Sequence, residues 1–80
     1  MTTIISDGHK IEIKGSPGEI IYYDDREVSN KFSIAGSTHV FRVKEAEVDV
    51  QYEVNLGSRW HGFSWWCEVR KLGVIIFTNK

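Results

Sequence analysis

From residue 46 to residue 56 the chain alternates without a break. Ala46, Val48, Val50, Tyr52, Val54 and Leu56 are apolar, and Glu47, Asp49, Gln51, Glu53 and Asn55 between them are polar. A period of two belongs to a strand with one dry face and one wet face, because successive side chains point to opposite sides of a sheet. Upstream, Phe41 and Val43 occupy odd positions, so the phase slips near Lys44 and Glu45. Such a slip marks a tight turn or a bulge. A turn centred on Glu45-Ala46 would set Val43 against Val48 and Phe41 against Val50, with Arg42 meeting Asp49 and Lys44 meeting Glu47 on the other face. Apolar groups and opposite charges would both find partners across that ladder, which favours a hairpin over one long bulged strand, although Glu-Ala is a poor turn dipeptide.

The same reading extends over the rest of the chain. Asp7-Gly8 lies between two apolar-rich runs, and Asp-Gly readily takes the positive φ of a two-residue hairpin. The register that follows sets Ile4 opposite Ile11 and Thr2 opposite Ile13, with Ile5 on the reverse face. Gly15-Ser16-Pro17-Gly18 reads as a turn and residues 19–23 as a third strand. Residues 24–27 are polar and read as a loop or single helical turn, followed by a short strand over 31–34. After a turn at 55–58, residues 63–70 and 74–78 make a final hairpin around a three-residue loop at 71–73. That register sets Cys67 against Phe77 and Val69 against Ile75, with Trp65 on the same face and Trp66 and Ile76 on the other. Apolar residues on both faces suggest that this hairpin is central or covered on both sides. The expected fold is all-β: a small antiparallel barrel or compact sandwich of about seven to eight short strands in one domain, with no place for a full helix.

Composition narrows the function classes. Eighty residues with 41% hydrophobic and 26% charged side chains make an ordinary globular balance for a single small domain. Ten basic residues against eleven acidic ones give a net charge of −1, which argues against a dedicated binder of duplex DNA. One cysteine forms no internal disulfide, and no segment resembles a signal peptide or an apolar membrane span. A soluble, cytoplasmic protein is the expectation, with no membrane partner.

The densest aromatic stretch runs from Arg59 through Trp60, His61, Gly62, Phe63, Ser64 and Trp65 to Trp66. Trp60 and Trp66, with Tyr22 or Tyr23 and the flanking Arg59, His61 and Arg70, would suit stacking against sugar rings or unpaired bases. The plainer reading places two of the three tryptophans in a core and uses the third to cap one end of it. Cys67 alternates inward between Trp65 and Val69, unlike an accessible nucleophile. His9, His39 and His61 have no ligand-like spacing, and 24–27 lacks the glycine and alternation of a calcium loop, so no metal or cofactor is expected. Glu45, Glu47, Asp49 and Glu53 read as an acidic comb on one wet face, balanced by Arg42 and Lys44. No phosphate loop or defensible catalytic constellation is present, so no enzyme is expected. The leading expectation is a non-enzymatic protein-interaction module that self-associates or binds another protein through an aromatic and apolar sheet face, with Trp66 and Ile76 as interface candidates. The alternative is a small β-barrel that stacks carbohydrate or single-stranded nucleic acid on Trp and Tyr side chains.

Overall fold

The computed structural model of the chain describes residues 1–15, 18–32, 36–58 and 65–80. Nearly all of these lie in eight strands: β1 (Thr2–Ser6), β2 (His9–Lys14), β3 (Gly18–Tyr23), β4 (Arg26–Phe32), β5 (Gly36–Glu45), β6 (Val48–Ser58), β7 (Trp65–Lys71) and β8 (Val74–Thr78). They form two antiparallel meanders, ordered β1-β2-β3-β4 and β5-β6-β7-β8. The two sheets pack as a sandwich, and among the described residues no strand closes them into a barrel. No helix among the described residues is long and apolar enough to cross a membrane.

Four of the six hairpin connections turn on two residues: Asp7-Gly8, Asp24-Asp25, Ala46-Glu47 and Leu72-Gly73. All eight of these residues have positive φ, between 47° and 82°, the left-handed conformation that a two-residue hairpin needs to match strand twist. All four turns gather at one end of the sandwich, since the Asp7 carboxylate meets Lys71 and the Tyr23 hydroxyl meets Glu45 across the two sheets.

The core lies between the sheets. Ile4, Ile11, Ile13, Ile21 and Tyr23 from the first sheet meet Phe41, Val50, Tyr52, Val54, Leu56, Cys67 and Val69 from the second. The Tyr23 and Tyr52 rings, on β3 and β6, stand 5.8 Å apart, and Phe41 stacks on Tyr52 at 5.3 Å. At the side of the sandwich, β4 approaches β5. Thr2 on β1 reaches the Cys67 thiol on β7, so β1 and β8 share the opposite side. Among the described residues the β4/β5 side is laced by polar contacts, and no strand lies against the outer edges of β1 and β8, which form an open side.

The first hairpin has the expected register, with Ile4 paired to Ile11 and Thr2 to Ile13. The second sheet departs from expectation in two places. The β5–β6 turn is centred one residue later, on Ala46-Glu47, so Val43 pairs with Val50, Phe41 with Tyr52 and Lys44 with Asp49. Moving the centre by one residue shifts the pairing by two, so the paired apolar side chains keep their expected face, but Glu45 now ends β5 and turns inward. The β7–β8 turn has two residues rather than three, and a bulge at Ile76 adds a second residue of shift: Arg70 pairs with Ile75 and Val69 with Phe77, in place of the expected Val69–Ile75 and Cys67–Phe77 pairs, and Ile76 has no cross-strand partner. β8 is also an edge strand with Val74, Ile75 and Ile76 exposed, not a central or covered one. In the first sheet, Asp24-Asp25 is a tight turn, and β4 begins at Arg26 instead of Lys31.

Candidate functional site

Two buried polar groups and one sheet edge carry the chemistry of the described surface. The first polar group sits beneath the turn end. Glu45, the last residue of β5, points inward instead of joining the acidic comb expected from the sequence. Its Oε2 accepts hydrogen bonds from the Tyr23 and Tyr52 hydroxyls, each at 2.5 Å, and its Oε1 lies 2.9 Å from the Lys71 Nζ. Ser6 Oγ adds a contact to the Tyr52 hydroxyl at 3.2 Å, and Lys71 also bonds the Asp7 carboxylate. Burial alone would raise the Glu45 pKa, but the bonds from Tyr23, Tyr52 and Lys71 outweigh it and hold the carboxyl below its usual value. Burial, followed by the bond to Glu45, pushes both tyrosines up. Asp7 and then Glu45 do the same for Lys71. Each group is tied to groups on the facing sheet, so the arrangement clamps the sandwich shut at this end.

The second group lies between β3, β4 and β5. His39 is fully buried, with Nε2 3.0 Å from Glu19 Oε1 and Nδ1 2.6 Å from Ser29 Oγ. Ser37 Oγ donates to the same Glu19 oxygen and lies 3.2 Å from His39 Nε2. Serine, histidine and carboxylate are in sequence of contact here, yet the serine is held by Nδ1 and the carboxylate by Nε2. A second hydroxyl also occupies the carboxylate. The cluster joins β3, β4 and β5, and Lys31 Nζ donates to the Thr38 carbonyl close by at 2.5 Å. Glu19 Oε2 is buried and has no hydrogen-bond partner among the described residues.

The edges of the two sheets differ in how they are protected. β4 carries Arg26, Glu27 and Lys31 and a bulge at Val28, and β5 carries the exposed Arg42 and Lys44. Charges and bulges are the usual devices that keep an edge strand from pairing with another chain. β8 has no charge and keeps only its bulge. β1, Thr-Thr-Ile-Ile-Ser, has no charge, no proline and an unbroken register with β2. Ile5 is 66% exposed and Val74 65%, with Leu72, Ile75 and Ile76 exposed beside them.

The aromatic and basic candidates are dispersed. Arg59, Trp60 and His61 lie outside the described residues. Trp66 is half-buried on the outer face of the second sheet, flat over its partner Gly57, with Lys80 Nζ 4.8 Å from the ring. Trp65 turns inward, and its ring fills the space where a side chain on Gly15 would stand. Tyr22 faces outward from the first sheet, on the far side of the molecule from Trp66, whereas Tyr23 is in the core with its hydroxyl on Glu45. No single ligand can therefore use Tyr22 and Trp66 together, and Tyr23 offers no free ring face. Arg70 Nη2 lies 3.3 Å from Glu68, and its Nε is buried with no hydrogen-bond partner among the described residues.

His9 Nδ1 lies 2.7 Å from Asp24, and its ring stacks on Tyr23. That bond, with the Lys10 N–H, holds the Asp24 carboxyl below its usual value. Cys67 is buried, and burial pushes its thiol up. Among the described residues no three histidine, cysteine, aspartate or glutamate side chains gather as a metal site.

The sequence pattern gave no sign of the Glu45 clamp. The one available hint was the phase slip itself, which puts a carboxylate where the inward alternation requires an apolar residue. Comparison with known proteins finds no matching family model, no curated protein and no solved structure similar to this chain.

Proposed function

We propose that this domain is a non-enzymatic protein-interaction module whose contact surface is the open β1/β8 side, with Ile76 within it and Trp66 one strand in from the edge. The observation that carries this reading is the contrast between edges: charge guards β4 and β5, and none guards β1 or β8. An unprotected edge offers backbone donors and acceptors to an added strand, and alternate side chains supply selectivity. The apolar residues beside it are the kind that a partner removes from water. The stacking alternative rests on Trp66 alone, whose outer position beneath Lys80 suits one sugar or one unpaired base.

Selection of random extended peptides against the immobilised full chain tests the reading. Enriched peptides should alternate apolar and polar residues and lose binding to the Ile76→Lys variant, unless the chain already fills this surface by self-association. If no peptide is enriched and the chain stays monomeric, the module reading fails. A shift of the Trp66 indole N–H on adding oligosaccharides would favour stacking instead; a shift with oligonucleotides that salt abolishes would point to single-stranded nucleic acid.

A further inference from the structure

We propose that the occupant of the open side is a second copy of this chain, paired antiparallel along β1 about a two-fold axis through Ile4. This rests on the interaction-module reading and names its partner. Ser6 and His9 flank a two-residue turn and so form a hydrogen-bonded pair, as do Ile4 with Ile11 and Thr2 with Ile13. The alternation leaves the N–H and C=O groups of Thr3 and Ile5 directed away from β2, toward the open side. An axis through Ile4 sets Thr3 of each copy opposite Ile5 of the other. That register lets Thr3 and Ile5 exchange N–H···O=C bonds in both directions, and the first sheet continues from one copy into the next.

The geometry favours a second copy over an isolated peptide. β1 and β8 lie on the same side of the sandwich, so an axis perpendicular to both sheets brings β8 toward its counterpart in the same operation. The bulge at Ile76 interrupts the backbone ladder of β8, so this second contact is made by side chains, with Ile75 and Ile76 of the two copies meeting. A peptide strand covers one edge; a second copy covers both, and the interface is self-complementary and closed.

Charge fits as well. Neither β1 nor β8 contains a charged residue, and the net charge of −1 gives little repulsion between copies.

The test is the mass of the full chain by sedimentation and light scattering across a wide concentration range. Wild type should have twice the chain mass. Ile5→Pro, which removes an outward N–H from each copy, should weaken association at least tenfold, and Val40→Lys on the outer face of β5 should leave it unchanged. A dimer that survives Ile5→Pro with an intact fold overturns the β1 pairing. If Ile5→Pro fails to fold, amide exchange in the wild type decides: slower exchange at Thr3 and Ile5 as concentration rises supports the pairing, and no change overturns it. A wild-type monomer that still selects Ile76-dependent peptides removes the second copy but keeps the module; a monomer that selects none removes both.

Discussion

Replacing Glu45 by Gln tests whether the buried carboxylate holds the turn end together. The amide is nearly the same size, so the substitution leaves packing almost unchanged and isolates charge and hydrogen bonding. Its oxygen can still accept from Tyr23 and Tyr52, which both bond Oε2. Its NH₂ group must then face the Lys71 ammonium, where Oε1 now accepts at 2.9 Å, and two donors are left opposed. Hydrogen bonds to a charged group contribute about 1.5–3 kcal/mol each, and losing one partner of a buried pair costs about 3–5 kcal/mol. Lys71 can retreat to Asp7, so the net loss should be about 2–4 kcal/mol. For a chain of this size that lowers Tm by at least roughly 8 °C.

Urea unfolding followed by circular dichroism at several pH values is the assay. The Glu45 carboxyl is held below its usual 4.5, so its stabilisation is complete above that pH and is lost as pH falls through the lower folded value. Wild type should therefore lose stability below about pH 4.5, and Glu45→Gln should show a shallower decline there. A variant within about 1 kcal/mol of wild type at pH 7, or one with the same acid limb, would show that the cluster is incidental to stability.

Three further outcomes follow from the geometry. Ala46→Asn with Glu47→Gly places turn-forming residues at φ values of 52° and 65°, and should stabilise the chain by roughly 1–2 kcal/mol in the same urea assay. A methyl group at Gly57 would overlap the Trp66 ring, so Gly57→Ala should cost about 1–3 kcal/mol and move the Trp66 indole signal more than those of the other tryptophans. Tyr23 and Tyr52 are raised above the usual 10.0, so their stabilisation is complete below that pH and lost above it; phenolate absorbance from both should rise together with unfolding, not before it.

The sequence was most legible where local turn chemistry and alternation agree. Asp7-Gly8 has both, and its register is the observed one. β4 was legible only in part, because Arg26-Glu27-Val28-Ser29-Asn30-Lys31-Phe32 is an edge strand with little apolar alternation, and its bulge breaks what period there is. At β5–β6 the alternation correctly assigned faces but could not fix the turn centre. Glu45 looks like a turn residue in the sequence, yet its stabilising partners Tyr23, Tyr52 and Lys71 come from three other strands, and Tyr23 and Lys71 are distant along the chain. Tyr23 illustrates the same limit: an aromatic read as surface is drawn inward because a buried carboxylate accepts its hydroxyl. β8 misled in the opposite direction, since its uninterrupted apolar residues read as a covered strand although it is an edge.

The distribution of polar groups explains why the open side merits the functional proposal. His39 and Glu19 are fully buried where β3, β4 and β5 meet, and hydroxyls from Ser29 and Ser37 help to satisfy them. Removing such groups from water is costly unless they are paired, and contacts within the chain pair all of this cluster except Glu19 Oε2. The Glu45 clamp is explained in the same way at the turn end. On the β1/β8 side the internal contacts leave apolar side chains in water and outward backbone groups of β1 without a strand beside them. A second copy would supply both needs, hydrogen bonds for Thr3 and Ile5 and cover for Ile75 and Ile76. The polar clusters can thus be understood within one chain, while the open edges can be completed by association.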